Sequence, residues 1–162
     1  MLLKKGLDLL MKLVEIFCMF LLAVTVVIIT IQVIWRYVLS APLAWTEEFS
    51  RYLFIWIVML GIPIMFHHDI AIRFDLLISK LNGKQKDIVE IIFKLLGIFF
   101  CVVYCVFSIS LCIKTGDRRT SGIEIPLNWL YAAQPVSAIL TALIMIEQIV
   151  EIISKWRNDA KC

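Results

Sequence analysis

A chain of 162 residues that is 62% hydrophobic and only 18% charged, with a mean hydropathy of +0.94, is too apolar to be an ordinary soluble domain of this length. Its net charge of +3 is divided among separate segments, which excludes a single basic patch for nucleic acid. The five cysteines include no Cys-x-x-Cys pair that would suggest a metal or redox site, so composition leaves an integral membrane protein.

Uncharged runs extend over Ile16 to Trp35, Tyr52 to Phe66, Leu95 to Ile113 and Ile125 to Ile146, with 20, 15, 19 and 22 residues respectively. About 20 residues cross the roughly 30 Å of bilayer hydrocarbon, so the second run spans only if it recruits the residues around Glu47. The expected architecture is one all-α membrane domain over residues 1–162, with short interfacial amphipathic segments. Its four transmembrane helices are predicted at about 14–37, 47–67, 84–113 and 127–152.

Lys4, Lys5 and Lys12 precede the first run in the manner of a signal peptide. That run is about twice the usual length of such a core and no Ala-x-Ala site follows, so a retained helix is expected. Arg36 ends the run where a cation suits the negative helix terminus, and Pro42 breaks the chain. Thr46 can then cap a second helix, with Glu47 and Glu48 in its first turn and Arg51 on the same face. Ionised groups are costly at membrane depth, which puts these four charges at an interface or against protein.

Gly61 and Pro63 are expected to weaken or kink the second helix near its inner end, and His67, His68 and Asp69 mark its return to water. Adjacent histidines point to different sides of a helix and no second pair exists, which argues against metal or haem ligation. Residues 70–81 mix apolar side chains with Arg73, Asp75 and Lys80, as expected of a segment lying in the membrane plane. From Lys84 a long third helix is predicted, its first turns outside the bilayer. Gly97, Cys101, Cys105, Ser108 and Cys112 form a small-residue stripe on it, suited to close approach of another helix, of the same chain in the first instance or else of a partner. In the fourth run Pro135 is expected to leave a carbonyl without its helical donor, with polar neighbours to satisfy it. Glu147 and Glu151 read as a solvated helix end.

Eleven lysines and arginines fall on the side of the termini and the 67–94 loop, against five on the other. The positive-inside rule therefore places both termini in the cytoplasm and the 36–51 and 114–124 loops outside. No ionisable group lies mid-helix, no internal repeat is evident, and no nucleophile with a base, phosphate loop or metal-ligand spacing occurs. These features predict neither an enzyme nor a complete pump, and no cofactor. A self-sufficient four-helix carrier would need a membrane-embedded acid, whereas Glu15 lies at an interface. A haem-binding anchor of an oxidoreductase is the other alternative.

Arg36-Tyr37, Pro42-Leu43, Trp45, Glu47-Glu48, Arg51 and Trp56, continued by Gly61, His68-Asp69-Ile70, Ile125-Pro126 and Gln134-Pro135, resemble the signature of the small, DctQ-like membrane subunit of TRAP transporters, the tripartite ATP-independent periplasmic carriers. The resemblance covers about residues 30–150, though the stretch before His68 lacks the basic residues often found there. It implies a bacterial or archaeal cytoplasmic-membrane protein that braces a large elevator-type subunit in a one-to-one complex. That large subunit would take up an organic acid such as sialic acid or a C4-dicarboxylate with sodium, and a periplasmic binding protein would dock transiently. By the same resemblance Arg36, Trp45, Glu47, Glu48, Arg51 and Trp56 fix the scaffold and its contact with the large subunit. Lipids are the remaining partners.

Overall fold

A computed structural model describes residues 2–39, 44–68, 84–116, 118–120 and 124–159. The predicted hinge around Pro42 and the membrane-plane segment at 70–81 lie outside the described residues. The described chain is all-α, with helices α1 (Leu2–Leu39), α2 (Ala44–His67), α3 (Lys84–Thr115), a single turn α4 (Asn128–Tyr131) and α5 (Ala133–Asp159). All except α4 are long and apolar enough to cross a membrane.

Helix lengths follow the side chains that flank each apolar run. At 1.5 Å per residue the 38 residues of α1 reach about 57 Å, well beyond the hydrocarbon. Its charged first turns stay helical because Lys4, Asp8, Met11 and Glu15 share one face and meet neighbouring helices. Helix α2 starts at Ala44, so Thr46 is not the cap expected from the sequence. It lies inside the first turn, 1% exposed. The helix also runs through Gly61 and Pro63 without a break, and Pro63 is fully buried. Pro135 falls in the first turn of α5; helical bonds run on either side of it, from Ala132 N to Asn128 O and from Val136 N to Ala132 O, so the carbonyl it deprives of a helical donor is Tyr131 O at the α4–α5 junction.

The principal helix contacts are α1 with α2, α2 with α5, and α5 with α3, while α4 lies against α3, α5 and α2. The four long helices thus form an open row in the order α1, α2, α5, α3. Contact between α1 and α3, which would close a bundle, is not among the principal ones. Large apolar side chains such as Phe17 and Phe20 on α1 and Phe99 and Phe107 on α3 stay exposed, as a lipid-facing surface permits.

Candidate functional site

At the end of the row that the lysine and arginine count assigns to the outside, Arg36 and Trp45 are exposed and Glu48 is half-buried. Glu47 meets Arg51 one turn on at 3.9 Å, with both side chains more than three-fifths exposed. Such a pair contributes about 0.3 to 0.5 kcal/mol, so it positions charge rather than holding the helix together. The Trp56 indole Nε1 donates to the Trp129 carbonyl at 3.2 Å, joining α2 to α4.

The outer connection between α3 and α4 is shaped by an isolated antiparallel bridge between Arg119 and Pro126, with Leu127 N donating to Arg118 O at 3.0 Å. Tyr52, 7% exposed and one turn before Trp56, holds this connection to α2. Its hydroxyl donates to Ile125 O at 3.4 Å and lies 3.5 Å from Thr120 Oγ1. Sequence reasoning missed Tyr52, although its spacing of four from Trp56 puts both polar tips on one face. Tyr52→Phe is expected to cost about 1 kcal/mol or less. Faster amide exchange in residues 118–127, with no change in the membrane core, would be the sign of it.

At mid-depth the small-residue stripe lies against α5. A Cβ on Gly97 would fall 2.8 Å from Met145 Sδ and Cε, and Cys101 and Ser108 are buried. Cys105 lines a shallow apolar trough with Cys101, Val102, Val106, Ala138, Ile139 and Ala142. The hydroxyls of Thr25, Thr30, Ser108, Ser110 and Thr141 each donate to the carbonyl four residues back. Ser137 instead crosses to α2 and donates to Met59 O at 2.6 Å. These hydroxyl protons go to backbone, so none of them is left to donate to a polar solute.

The inner end carries the cross-helix polar contacts. His67 Nε2 lies 3.7 Å from Asp8 Oδ1 and His68 Nε2 lies 2.5 Å from Glu15 Oε1, joining α2 to α1. Lys4 meets Glu151 at 2.7 Å, Gln148 Nε2 donates to Phe66 O at 2.9 Å, and Trp156 Nε1 donates to Asp87 Oδ2 at 2.6 Å. Helix α5 is therefore tied to α1, α2 and α3 in turn. Among the described residues no group of three His, Cys, Asp or Glu side chains converges as a metal site would require.

Residues 25–155 match the family described as "Tripartite ATP-independent periplasmic transporters, DctQ component". A chain named as a TRAP transporter small permease protein, from Haemophilus influenzae strain Rd, is 27% identical over 147 residues, which are 88% of each chain. The sialic acid TRAP transporter permease protein SiaT of H. influenzae strain 86-028NP is 30% identical across 70% of this chain. The isethionate TRAP transporter permease protein DctMQ of Oleidesulfovibrio alaskensis is 28% identical across 75% of it. The aligned part is only 18% and 20% of those two longer proteins. With the family match extending over most of the four-helix row, the chain belongs to the DctQ family and is a small, non-catalytic membrane subunit of a TRAP transporter, a multi-pass protein of the inner membrane.

Proposed function

We propose that this subunit is the static scaffold of a sodium-coupled TRAP transporter, bracing a large elevator-type membrane subunit in a one-to-one complex. The observation that carries this reading is the chemistry of the mid-depth region: it holds no charged side chain, and its Ser and Thr hydroxyls donate to backbone carbonyls. A carrier needs groups that exchange partners as cargo enters and leaves, and those hydroxyls are already committed. The open row supports the same reading because it offers a broad face to a neighbour in the membrane. In this arrangement the four helices make one domain with both termini cytoplasmic. Arg36, Trp45, Glu47, Glu48 and Arg51 meet the large subunit at the outer surface, and Trp56 orients that corner through Trp129. A soluble periplasmic binding protein docks transiently on the outer loops.

The cargo is a small organic acid. Support comes from the printed names of two relatives, for sialic acid and for isethionate, both organic anions. Co-expression with a large TRAP membrane subunit is expected to give a stable one-to-one complex, while proteoliposomes holding this chain alone take up no organic acid. Sodium-driven uptake by the isolated chain would sink the reading. In the same assay Glu47→Lys with Glu48→Lys is expected to weaken assembly about fivefold without lowering membrane insertion. Undiminished co-purification of that double variant would remove these acids from the interface.

A further inference from the structure

We propose that the first four turns of α1 form a docking strip for an anionic lipid with two phosphates, of the diphosphatidylglycerol type. Lys5 and Lys12 each take one phosphate, and Leu9, Leu13 and Ile16 take the acyl chains. Lys5, Leu9 and Lys12 follow one another at spacings of four and three, so all three stand on one side of the helix. At 1.5 Å per residue the two lysines are about 10.5 Å apart along its axis. Leu13 and Ile16 come one and two turns after Leu9, and these three apolar side chains are each about three-fifths exposed. With Phe17 and Phe20 they run without a break into the exposed surface of the membrane-spanning part.

Charge on this part of α1 is sorted by direction. Asp8 and Glu15 face α2, with Asp8 Oδ1 3.7 Å from His67 Nε2 and Glu15 Oε1 2.5 Å from His68 Nε2, on either side of the fully buried Met11. Lys4 turns to α5 and meets Glu151 at 2.7 Å. Two further acids of the inner end are engaged inside the row, where Asp87 accepts from Trp156 and Glu90 meets Lys94. Lys5 and Lys12 are exposed on the outward side, and among the described residues no carboxylate lies within 4.0 Å of either ammonium. Two cations beside an apolar strip, with the acids of the same helix turned away, match an anion that also carries hydrocarbon.

The lysine and arginine count places this end on the cytoplasmic side, beside the inner-leaflet headgroups. Standing in water, the strip would expose Leu9 and Leu13 to no purpose, whereas at the acyl boundary both are covered. The 38 residues of α1 reach about 57 Å against about 30 Å of hydrocarbon. Tilting therefore lays these turns on the leaflet and brings both lysines to phosphate level, their stems lying along the apolar surface. A lipid with one phosphate answers one ammonium. Two phosphates on a single glycerol answer both, and the second contact is then intramolecular. An acidic protein surface would match the two lysines, but it supplies no hydrocarbon for the strip between them.

The test is native mass spectrometry of the full chain in mild detergent, titrated with diphosphatidylglycerol or with phosphatidylglycerol at equal phosphate. One diphosphatidylglycerol is expected to stay bound, with an affinity about tenfold above that of phosphatidylglycerol. Lys5→Gln and Lys12→Gln are each expected to weaken it about fivefold, whereas Lys5→Arg with Lys12→Arg keeps the preference. Lys155→Gln, which removes an exposed lysine of α5 at the same end, is expected to change nothing. Circular dichroism of each variant checks that the helices are intact. Equal retention of the two lipids by the wild-type chain, or a preference that survives Lys5→Gln with Lys12→Gln, would overturn the proposal. So would a double variant that keeps its lipid but no longer co-purifies with a large membrane subunit, since the lysines would then belong to a protein contact.

Discussion

Replacing Gly97 by leucine is expected to force α3 away from α5 and to lower stability by about 2 to 3 kcal/mol, whereas Gly97→Ala costs less than about 1 kcal/mol. The contrast follows from what each side chain meets. A first carbon at this position falls 2.8 Å from the Sδ and Cε of Met145, the far end of an unbranched thioether chain that can shift by a rotamer. Alanine needs only that shift. Leucine adds three carbons in the same direction, and Met145 is 7% exposed beside the 0% exposed Ile144, so the displaced volume has no outlet except helix separation. The penalty is large because α5 is the one long helix with which α3 makes principal contact. Unfolding by sodium dodecyl sulfate from mild-detergent micelles, followed by circular dichroism, gives the ranking. Leu96→Ala, which trims a side chain 62% exposed, should leave the transition nearly unmoved. Equal costs for alanine and leucine at Gly97 would mean that the seam is looser than a 2.8 Å approach requires.

The same seam illustrates what can be read from the residues alone. Gly97, Cys101 and Ser108 are conspicuous as small residues at helical spacing in an apolar run, and their need for close approach follows from size. Their neighbour is a different matter, since hydropathy does not distinguish a face toward lipid from a face toward another apolar helix. For that reason the four spans were legible while the open order α1, α2, α5, α3 was not. Charges at the ends behaved in the same way. The first turns of α1 look like a soluble overhang until Asp8 and Glu15 find His67 and His68, more than fifty residues away in sequence. Thr46 has the chemistry of a cap, but the helix begins two residues earlier and turns it inward, a shift that local propensity does not resolve. At the outer corner the polar atom of Trp56 is held by a backbone carbonyl, which carries no side-chain signal in the sequence.

Removing the Ser137 hydroxyl is expected to destabilise the chain by about 1.5 kcal/mol, and the loss should depend on a residue it does not contact through that hydrogen bond. Pro63 lies inside α2 and has no amide hydrogen, so the Met59 carbonyl four residues earlier is denied its helical donor. Ser137 Oγ, on a side chain 2% exposed, supplies the missing donor from α5 at 2.6 Å. In a membrane interior no water can replace it, so Ser137→Ala leaves a carbonyl unsatisfied and detaches α5 from α2 at that level. The decisive measurement is a double-mutant cycle. Pro63→Ala restores an amide that can bond to Met59, and in that background Ser137→Ala should cost less than about 0.5 kcal/mol, a coupling of about 1 kcal/mol. If the serine costs the same with proline or alanine at position 63, its contribution is packing alone, and the continuity of α2 through a buried proline needs another source. If the coupling is found, a hydroxyl on one helix completes the backbone of its neighbour, and the centre of the row is fixed by the same interaction that removes a polar group from the reach of any solute.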